Sequence, residues 1–104
     1  MLKKTLIDIT TSAANAVIII ENWNKDGSVF LVGSGLASIT ETINIQIPAV
    51  LNPDKDTDAH WENFVYDSTT YVLDASNMAQ SLPLRGTYRT NKPASTSAFG
   101  VIFE

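Results

Sequence analysis

The sequence predicts an all-β fold, a small antiparallel β-sandwich or barrel of about seven strands. Short apolar runs recur along the chain between turn-forming residues, and no stretch keeps a helical period for three turns. The clearest pattern lies at residues 39–47, where isoleucines alternate with polar residues. With 104 residues, the chain is long enough for one sandwich domain spanning residues 1–104.

Three strands are predicted in the first half of the chain. The run VIII at residues 17–20 is β-branched and short, which favours a strand with both faces covered. Asp26 and Gly27 form a turn signal, so residues 29–32 are expected to return as the second strand of a hairpin. Residues 39–47 predict a third strand that buries its isoleucine face and exposes its polar face.

Four further strands are predicted in the second half, at residues 61–66, 70–73, 84–90 and 98–103. The first two are separated by a turn sequence at hairpin spacing. Residues 74–81 fit two interpretations: Asp74 caps a single helical turn, or the whole segment is a loop. Neither interpretation adds a strand.

Charge and composition exclude several kinds of partner. Eleven acidic against seven basic residues give a net charge of −4, whereas nucleic-acid binding draws its affinity from clustered Lys and Arg. Asp8 interrupts the apolar start of the chain, and later apolar runs are too short for a bilayer, which indicates an untargeted, soluble protein. The chain has no cysteine, which excludes a thiolate nucleophile. We therefore expect neither a nucleic-acid partner nor a membrane partner.

The stretch NPDKDTDAHWE, residues 52–62, has the residue types of a metal site or an acid-base centre. Asp54, Asp56 and Asp58 alternate as at the start of an EF-hand loop, but neither possible register supplies the turn glycine and the closing glutamate. His60 is the only histidine, so the remaining ligands of a zinc site would all be carboxylates. We expect a solvated connection between strands, without metal or cofactor; weak calcium binding by the aspartates stays open.

The segment Gly33-Ser34-Gly35 is the other place where a catalytic or cofactor motif could lie. It lacks the Gly-x-Ser-x-Gly spacing of a nucleophile elbow, and Ser38 stands where a dinucleotide-binding loop needs its third glycine. Both glycines are interpreted as turn residues. We therefore expect no catalytic residues and no enzymatic activity.

Two groups of residues are candidates for partner binding. Arg85 and Arg89 lie four apart on one predicted strand, hence on one face, and Lys92 follows; they either pair with the surplus aspartates or form a docking patch for an acidic partner. Trp61 belongs to a set of aromatic residues that either pack in the core or form a platform for sugar or protein. The other members of this set are Trp23, Tyr66, Tyr71 and Tyr88.

The order of features over residues 41–101 resembles a group of small virion proteins encoded by tailed bacteriophages. ETINIQIP at residues 41–48 is followed by an acidic loop ending in Trp61, a hairpin through residues 71–73, LRGTYR at 84–89 and KPASTSAFGV at 92–101. Such proteins are β-sandwiches that decorate a capsid or belong to a tail. The resemblance implies a capsid decoration or cement protein, located in the virion and made in the host cytoplasm. Its implied partners are the major capsid protein or another virion protein, together with further copies of the chain as a homo-oligomer.

Two alternatives to capsid decoration remain open at the level of the sequence. One is a tail, neck or fibre-base subunit, which would share the same composition. The other is a carbohydrate- or host-surface-binding module that uses Trp23 or Trp61. An exposed, coplanar pair of aromatic rings would favour this last interpretation.

Overall fold

The computed structural model describes residues 3–21 and 27–104, and it confirms the all-β class. The described residues form eleven strands, and every paired strand runs antiparallel to its neighbour. The strands are β1 (Lys4–Thr10), β2 (Ala14–Ile20), β3 (Gly27–Gly33), β4 (Ile43–Pro48), β5 (Trp61–Asn63), β6 (Val65–Tyr66), β7 (Thr69–Thr70), β8 (Val72–Leu73), β9 (Ala79–Leu82), β10 (Gly86–Lys92) and β11 (Phe99–Phe103). Two single turns of 3₁₀ helix, Leu36–Ser38 and Asp58–His60, lie in the connections.

The strands form two main sheets and one small hairpin. The first sheet has the order β1-β11-β3-β9, and the second has the order β2-β10-β4-β5, with β8 also paired to β4. Strands β6 and β7 pair only with each other. Because neither sheet closes on itself, the architecture is a sandwich and not a barrel.

The two main sheets pack face to face around one hydrophobic core. Its buried members are Ile7, Val29, Leu31, Leu82, Phe99 and Val101 from the first sheet and Ala16, Ile18, Ile20, Ile43, Ile45, Leu73 and Tyr88 from the second. Tyr88 keeps its polar end satisfied, because its hydroxyl donates a hydrogen bond of 2.6 Å to the carbonyl of Leu84. The same device, a tyrosine hydroxyl bonded to the backbone a few residues upstream, occurs in other β-sandwiches.

The structure corrects the prediction that both faces of residues 17–20 are covered. Strand β2 alternates instead, with Ile18 and Ile20 in the core and Ile19 62% exposed. The reason is that β2 is an outer strand of its sheet, and the acidic loop reaches only the Asn15 end of its far face, where Asp56 accepts a hydrogen bond from Asn15. An uninterrupted apolar run therefore does not by itself show that a strand is central.

The described part of the chain has eleven strands where about seven were predicted, for two reasons. Predicted strands 61–66 and 70–73 are each divided in two, and strands β1 and β9 were not predicted. The helical interpretation of residues 74–81 is wrong. Asp74 and Asn77 form an isolated β-bridge, with backbone hydrogen bonds of 3.0 and 3.1 Å, and the chain then continues as β9. The Asp74 carboxylate does accept N–H bonds as a cap would, but it closes a tight turn.

A short hairpin formed by β6 and β7 leaves the edge of the second sheet at Ile45. The Ile45 amide donates to the Tyr71 carbonyl at 3.1 Å, and the Ile45 carbonyl accepts from the Phe64 amide at 2.9 Å. The chain between these two anchors, residues 65–70, is exposed throughout. Its two turn residues, Asp67 and Ser68, have φ values of 52° and 63°, as a two-residue hairpin turn requires.

Candidate partner-binding surface

The acidic stretch, residues 52–62, is a folded loop held by Asp54. The Asp54 carboxylate accepts hydrogen bonds from the Thr57 hydroxyl at 2.8 Å and from the Asp56 amide at 3.2 Å. The Asp54 carbonyl also accepts from the Thr57 amide at 3.2 Å. Such local side-chain bonds stabilise a turn without help from a metal ion.

His60 and Trp61 close the same loop from its other end. The His60 ring accepts a hydrogen bond at Nδ1 from the Asp54 amide at 2.9 Å, and the Trp61 indole donates to the Asp54 carbonyl at 2.8 Å. Trp61 is only 6% exposed. The structure therefore places this candidate partner-binding tryptophan inside the domain, so that of the two interpretations of the aromatic set Trp61 fits packing and not an exposed platform.

The three alternate aspartates of the loop have different neighbours. Asp54 bonds within the loop, Asp56 accepts from the Asn15 side chain at 3.2 Å, and Asp58 pairs with Arg89 at 3.1 Å. Within the described part of the chain, no three His, Asp or Glu side chains gather in a group that could hold a metal ion. The loop is thus a connection tied to the sheet beneath it.

Arg89 fastens the loop to the outer face of the second sheet. Its guanidinium donates to the side-chain oxygen of Gln46 through Nε at 2.8 Å and through Nη2, and to the carbonyl of Lys55 at 2.8 Å. It also lies 5.4 Å from the centre of the Trp61 ring, within the range of a cation–π contact. Covered by the loop, Arg89 is 1% exposed, and Gln46, on the face of β4 predicted to be wet, is buried as well.

Lys92 is buried on the opposite face of β10. Its ammonium group donates to the carbonyls of Ser12 at 2.9 Å and Pro93 at 3.2 Å, and it lies 4.4 Å from the centre of the Phe99 ring. Burial lowers the pKa of Lys92, while the nearby charge of Glu41 acts in the other direction. This lysine therefore links the end of β10 to Ser12, in the connection between β1 and β2.

The predicted docking patch of Arg85, Arg89 and Lys92 is consequently not a shared basic face. Strand β10 begins at Gly86, so Arg85 lies in the preceding loop, where it is exposed. Arg89 and Lys92 are three residues apart, so their side chains project from opposite faces of the strand, and both are buried. Arg89 pairs with one aspartate, Asp58, as the alternative of pairing with surplus aspartates anticipated, whereas Lys92 bonds to backbone carbonyls.

The segment Gly33-Ser34-Gly35 forms a turn, as its sequence suggested. Gly33 and Gly35 have φ values of 143° and 69°, and the chain then enters the 3₁₀ turn Leu36–Ser38. The Ser38 hydroxyl donates to the Gly35 carbonyl at 2.8 Å. Both glycines serve backbone geometry that other residues rarely adopt.

Exposed apolar side chains mark the surface that remains for a partner. On the projecting hairpin, Val65 is 57% exposed and Tyr66 is 41% exposed. Phe64 at the base of the hairpin is buried, and it stacks against Tyr66 with ring centres 6.1 Å apart. Tyr66 was one of the aromatic candidates, but its sequence does not distinguish it from the buried ones. The spacing of the hairpin does not show where the hairpin leaves the sheet.

Within residues 3–21 and 27–104, the aromatic side chains do not form the flat platform that a sugar would favour. Tyr66 and Tyr71 meet edge to face, with an angle of 81° between their rings. Phe64 and Tyr88 are buried, and their rings also meet edge to face at 75°. Trp23, the remaining candidate, lies outside the described residues.

No protein-family model, no curated protein and no solved structure matches the chain. Across residues 3–21 and 27–104, no helix has the length and apolar character that crossing a membrane requires.

The acidic loop should lose stability at low pH because of Asp54. The hydrogen bonds from Thr57 and Asp56 lower the pKa of the Asp54 carboxyl. A folded-state pKa below the unfolded value means that this carboxylate stabilises the fold above its ordinary pKa of about 3.9. That contribution is lost as the pH falls through the lowered folded-state pKa. Amide exchange at Asp56 and Thr57, followed from about pH 6 to about pH 2, should show local opening under acid.

The control for this prediction is Asp54→Asn, whose amide side chain does not titrate. In that variant, the part of the acid-dependent loop opening that Asp54 causes should disappear, while the contributions of His60 and Asp58 remain. Acid opening of the same size in both proteins would show that Asp54 is not its cause.

Proposed function

We propose that this protein is a structural protein of a tailed-phage virion that decorates and cements the assembled capsid without catalysing a reaction. It binds the major capsid protein at the shell surface and contacts neighbouring copies of itself, after synthesis in the host cytoplasm. The observation that carries the proposal is the hairpin of residues 65–70, which extends from the edge of the second sheet with Val65 and Tyr66 exposed. The order of features over residues 41–101, which resembles phage virion proteins, supports the same function.

The geometry of the hairpin suits docking onto a larger surface. Its base is held by the backbone bonds of Ile45 and by the buried ring of Phe64, so little conformational freedom is lost when the tip is bound. Tyrosine is enriched among the residues that dominate binding energy at protein interfaces. Tyr66 is therefore the proposed anchor, and Val65 extends the apolar contact.

A small contact is sufficient for a protein that is repeated over a symmetric shell. Each copy needs only a modest interface, because contacts with neighbouring copies add avidity without a new type of bond. Binding to the assembled shell in preference to free subunits stabilises the shell by mass action. This is the physical meaning of cementing.

The sugar-binding alternative has less support than a protein partner. Trp61 is buried and Tyr66 meets Tyr71 edge to face, whereas a sugar platform presents open ring faces. A tail, neck or fibre-base subunit remains the second candidate, since the same projecting hairpin would also dock onto a ring or tube.

The proposal predicts saturable binding to assembled shells that depends on Tyr66. Purified protein should co-sediment with empty shells of its own virus but not with unassembled shell subunits. Tyr66→Ala should weaken shell binding roughly 30-fold, the effect of losing about 2 kcal/mol at an interface anchor. Thr69→Ala, on the other strand of the same hairpin, is the matched control and should bind nearly as well as the parent protein.

Three outcomes would change this conclusion. Equal binding by the Tyr66→Ala and parent proteins would show that the hairpin is not the docking element. Binding to tail intermediates but not to shells would favour the tail subunit. Loss of shell binding on adding a calcium chelator would bring the aspartates of the acidic loop back as a metal site.

A further inference from the structure

Strand β2 has one open edge along its whole length. It pairs with β10 through seven consecutive residues, without a register shift, and it is the last strand of its sheet. No residue in the described ranges pairs with its other side. An open edge of this kind presents unpaired backbone N–H and C=O groups to any strand that approaches.

The bonds of β4 show which backbone groups of β2 point to the open edge. Ile45 directs its N–H and C=O to Tyr71 and Phe64, away from β10. In an antiparallel strand these directions alternate from one residue to the next, so the neighbours of Ile45 face β10. Gln46 and Asn44, the two neighbours of Ile45, lie opposite Arg89 and Asn91, so the N–H and C=O groups of Arg89 and Asn91 point to β4. The residues of β10 that alternate with these two point the same groups to β2.

The register between β10 and β2 completes this assignment. Tyr88 lies opposite Ile18 and Thr90 lies opposite Ala16, so these two residues of β2 bond to β10. The alternate residues Asn15, Val17 and Ile19 then direct their N–H and C=O groups outward. Each contributes one donor and one acceptor, so the open edge carries three of each.

The other outer strands of the two sheets carry features that discourage pairing, and β2 carries none of them. Strand β1 has two register shifts and begins at Lys4, directly after Lys3; β9 has four residues followed by Pro83; β5 has three residues and β8 has two. Bulges, lysine, proline and short length are the usual means of protecting an edge. Strand β2 is seven residues long and regular, and it contains no proline and no charged residue.

We propose that β2 is a self-association edge, at which it pairs antiparallel with β2 of a second copy about a twofold axis through Val17. Val17 then lies opposite Val17 of the second copy, and Asn15 lies opposite Ile19. In this register the three outward donors and three outward acceptors of each copy are all used, which makes six hydrogen bonds across the axis. Two five-stranded sheets join into one continuous sheet, and exposed Ile19 gains neighbours from the other copy.

The charges near β2 permit this pairing even though each copy has a net charge of −4. Residues 11–20 contain no charged side chain. Asp56 of the acidic loop bonds to the Asn15 side chain at 3.2 Å, and Glu21 follows the strand. The proposed register places Asn15 opposite Ile19 and Glu21 opposite Ala13 of the second copy, so neither acid lies directly opposite another acid. This self-association does not depend on the virion function, and either can fail without the other.

Single-cysteine cross-linking tests the register directly, because the natural chain has no cysteine. Residues opposite each other in a hydrogen-bonded antiparallel pair have Cα atoms about 5.5 Å apart, a distance that a disulfide can span. Val17→Cys should therefore form a covalent dimer under mild oxidation. Ile19→Cys is the matched control: two copies of residue 19 would lie four residues apart along the strands, roughly 13 Å, and should not cross-link.

A mixture of Asn15→Cys and Ile19→Cys proteins extends the test, since these two positions face each other in the proposed register. It should yield a mixed dimer that neither protein forms alone. Equal cross-linking of Val17→Cys and Ile19→Cys would overturn the register. A chain that sediments as a monomer at millimolar concentration, with no cross-link at Val17, would overturn the self-association.

A reversible test uses charge at the same position. Val17→Lys places two like charges directly opposite each other across the axis, whereas in the monomer the new side chain extends into solvent. Sedimentation velocity over a range of concentrations measures the dimer dissociation constant. This constant should be at least tenfold higher for Val17→Lys than for the parent protein. Val17→Thr, which keeps the β-branched shape without charge, should retain the dimer; equal association of the Lys and Thr variants would contradict the proposed axis.

Discussion

Replacing Arg89 by alanine is expected to lower the free energy of unfolding by about 3 kcal/mol, since buried bonds to a charged group are lost and their acceptors are left unsatisfied. The side-chain oxygen of Gln46 and the carbonyl of Lys55 lose their donors, and the Trp61 ring loses the cation beneath it. Urea denaturation measures the change in stability. Amide exchange at Asp56 and Thr57 should also speed up, because the acidic loop loses its attachment to the sheet.

Two further variants separate the geometry of Arg89 from its charge. Arg89→Lys keeps the charge but cannot supply the planar set of donors, so it should recover only part of the lost stability. Asp58→Asn removes the ion pair alone, and because Asp58 is 83% exposed the change should stay within about 0.5 kcal/mol. A loss in Asp58→Asn as large as the loss in Arg89→Ala would show that the ion pair, and not the buried hydrogen-bond set, holds the loop.

The regular part of the fold could be predicted because its signals are local. The alternation of isoleucines at residues 39–47 identified the inward face: Ile39, Ile43 and Ile45 are buried and Ile47 is half-buried. The strand itself begins only at Ile43, and Gln46 on the predicted polar face is buried as well. The turn between β6 and β7 and the closing strand β11 were likewise visible in the sequence. The hairpin predicted between residues 17–20 and 29–32 is wrong, because β2 and β3 lie in different sheets. These features depend on neighbours within a few positions of each other, where periodicity and turn chemistry act directly.

The environment of Arg89 could not be predicted because it is built by distant segments. Its side chain bonds to Gln46, which is 43 positions away, and to Lys55, which is 34 positions away. Nothing near Arg89 in sequence indicates that a loop will fold over its face of the strand. An arginine on a predicted outer face is usually exposed, so only the tertiary structure reveals that it is covered.

Strand β1 was missed for a related reason. Its sequence, KTLIDIT, neither alternates cleanly nor forms a continuous apolar run. In the structure, two register shifts interrupt its pairing with β11. A bulge displaces side chains from the simple inward and outward alternation on which strand prediction depends. The partner that makes room for this irregular strand is a glycine of β11.

Gly100→Ala is expected to destabilise the domain by about 3 kcal/mol, at the upper end for overpacking. Ile7 lies opposite Val101 and Thr10 lies opposite Phe99. The two residues of β1 between them, Asp8 and Ile9, therefore lie opposite the single residue Gly100. A methyl group at Gly100 would overlap the Ile7 carbonyl oxygen and would lie 2.8 Å from the carbonyl carbon of Asp8. These are backbone atoms of a paired strand, which cannot move aside as a flexible side chain would.

The expected structural result is that β1 separates from β11 while the second sheet stays intact. Amide exchange should therefore increase along Lys4–Thr10 more than along β10, and urea denaturation should report the loss of stability. Gly35→Ala is the control. Among the described residues not adjacent to it in the chain, only the Ser38 hydroxyl lies within 4 Å of the added methyl group, at 3.5 Å. Its cost, about 1 kcal/mol, comes from the left-handed backbone alone. If both alanine variants lost equal stability with unchanged exchange in β1, backbone freedom would be the reason for glycine at position 100, and the close approach of β1 would not.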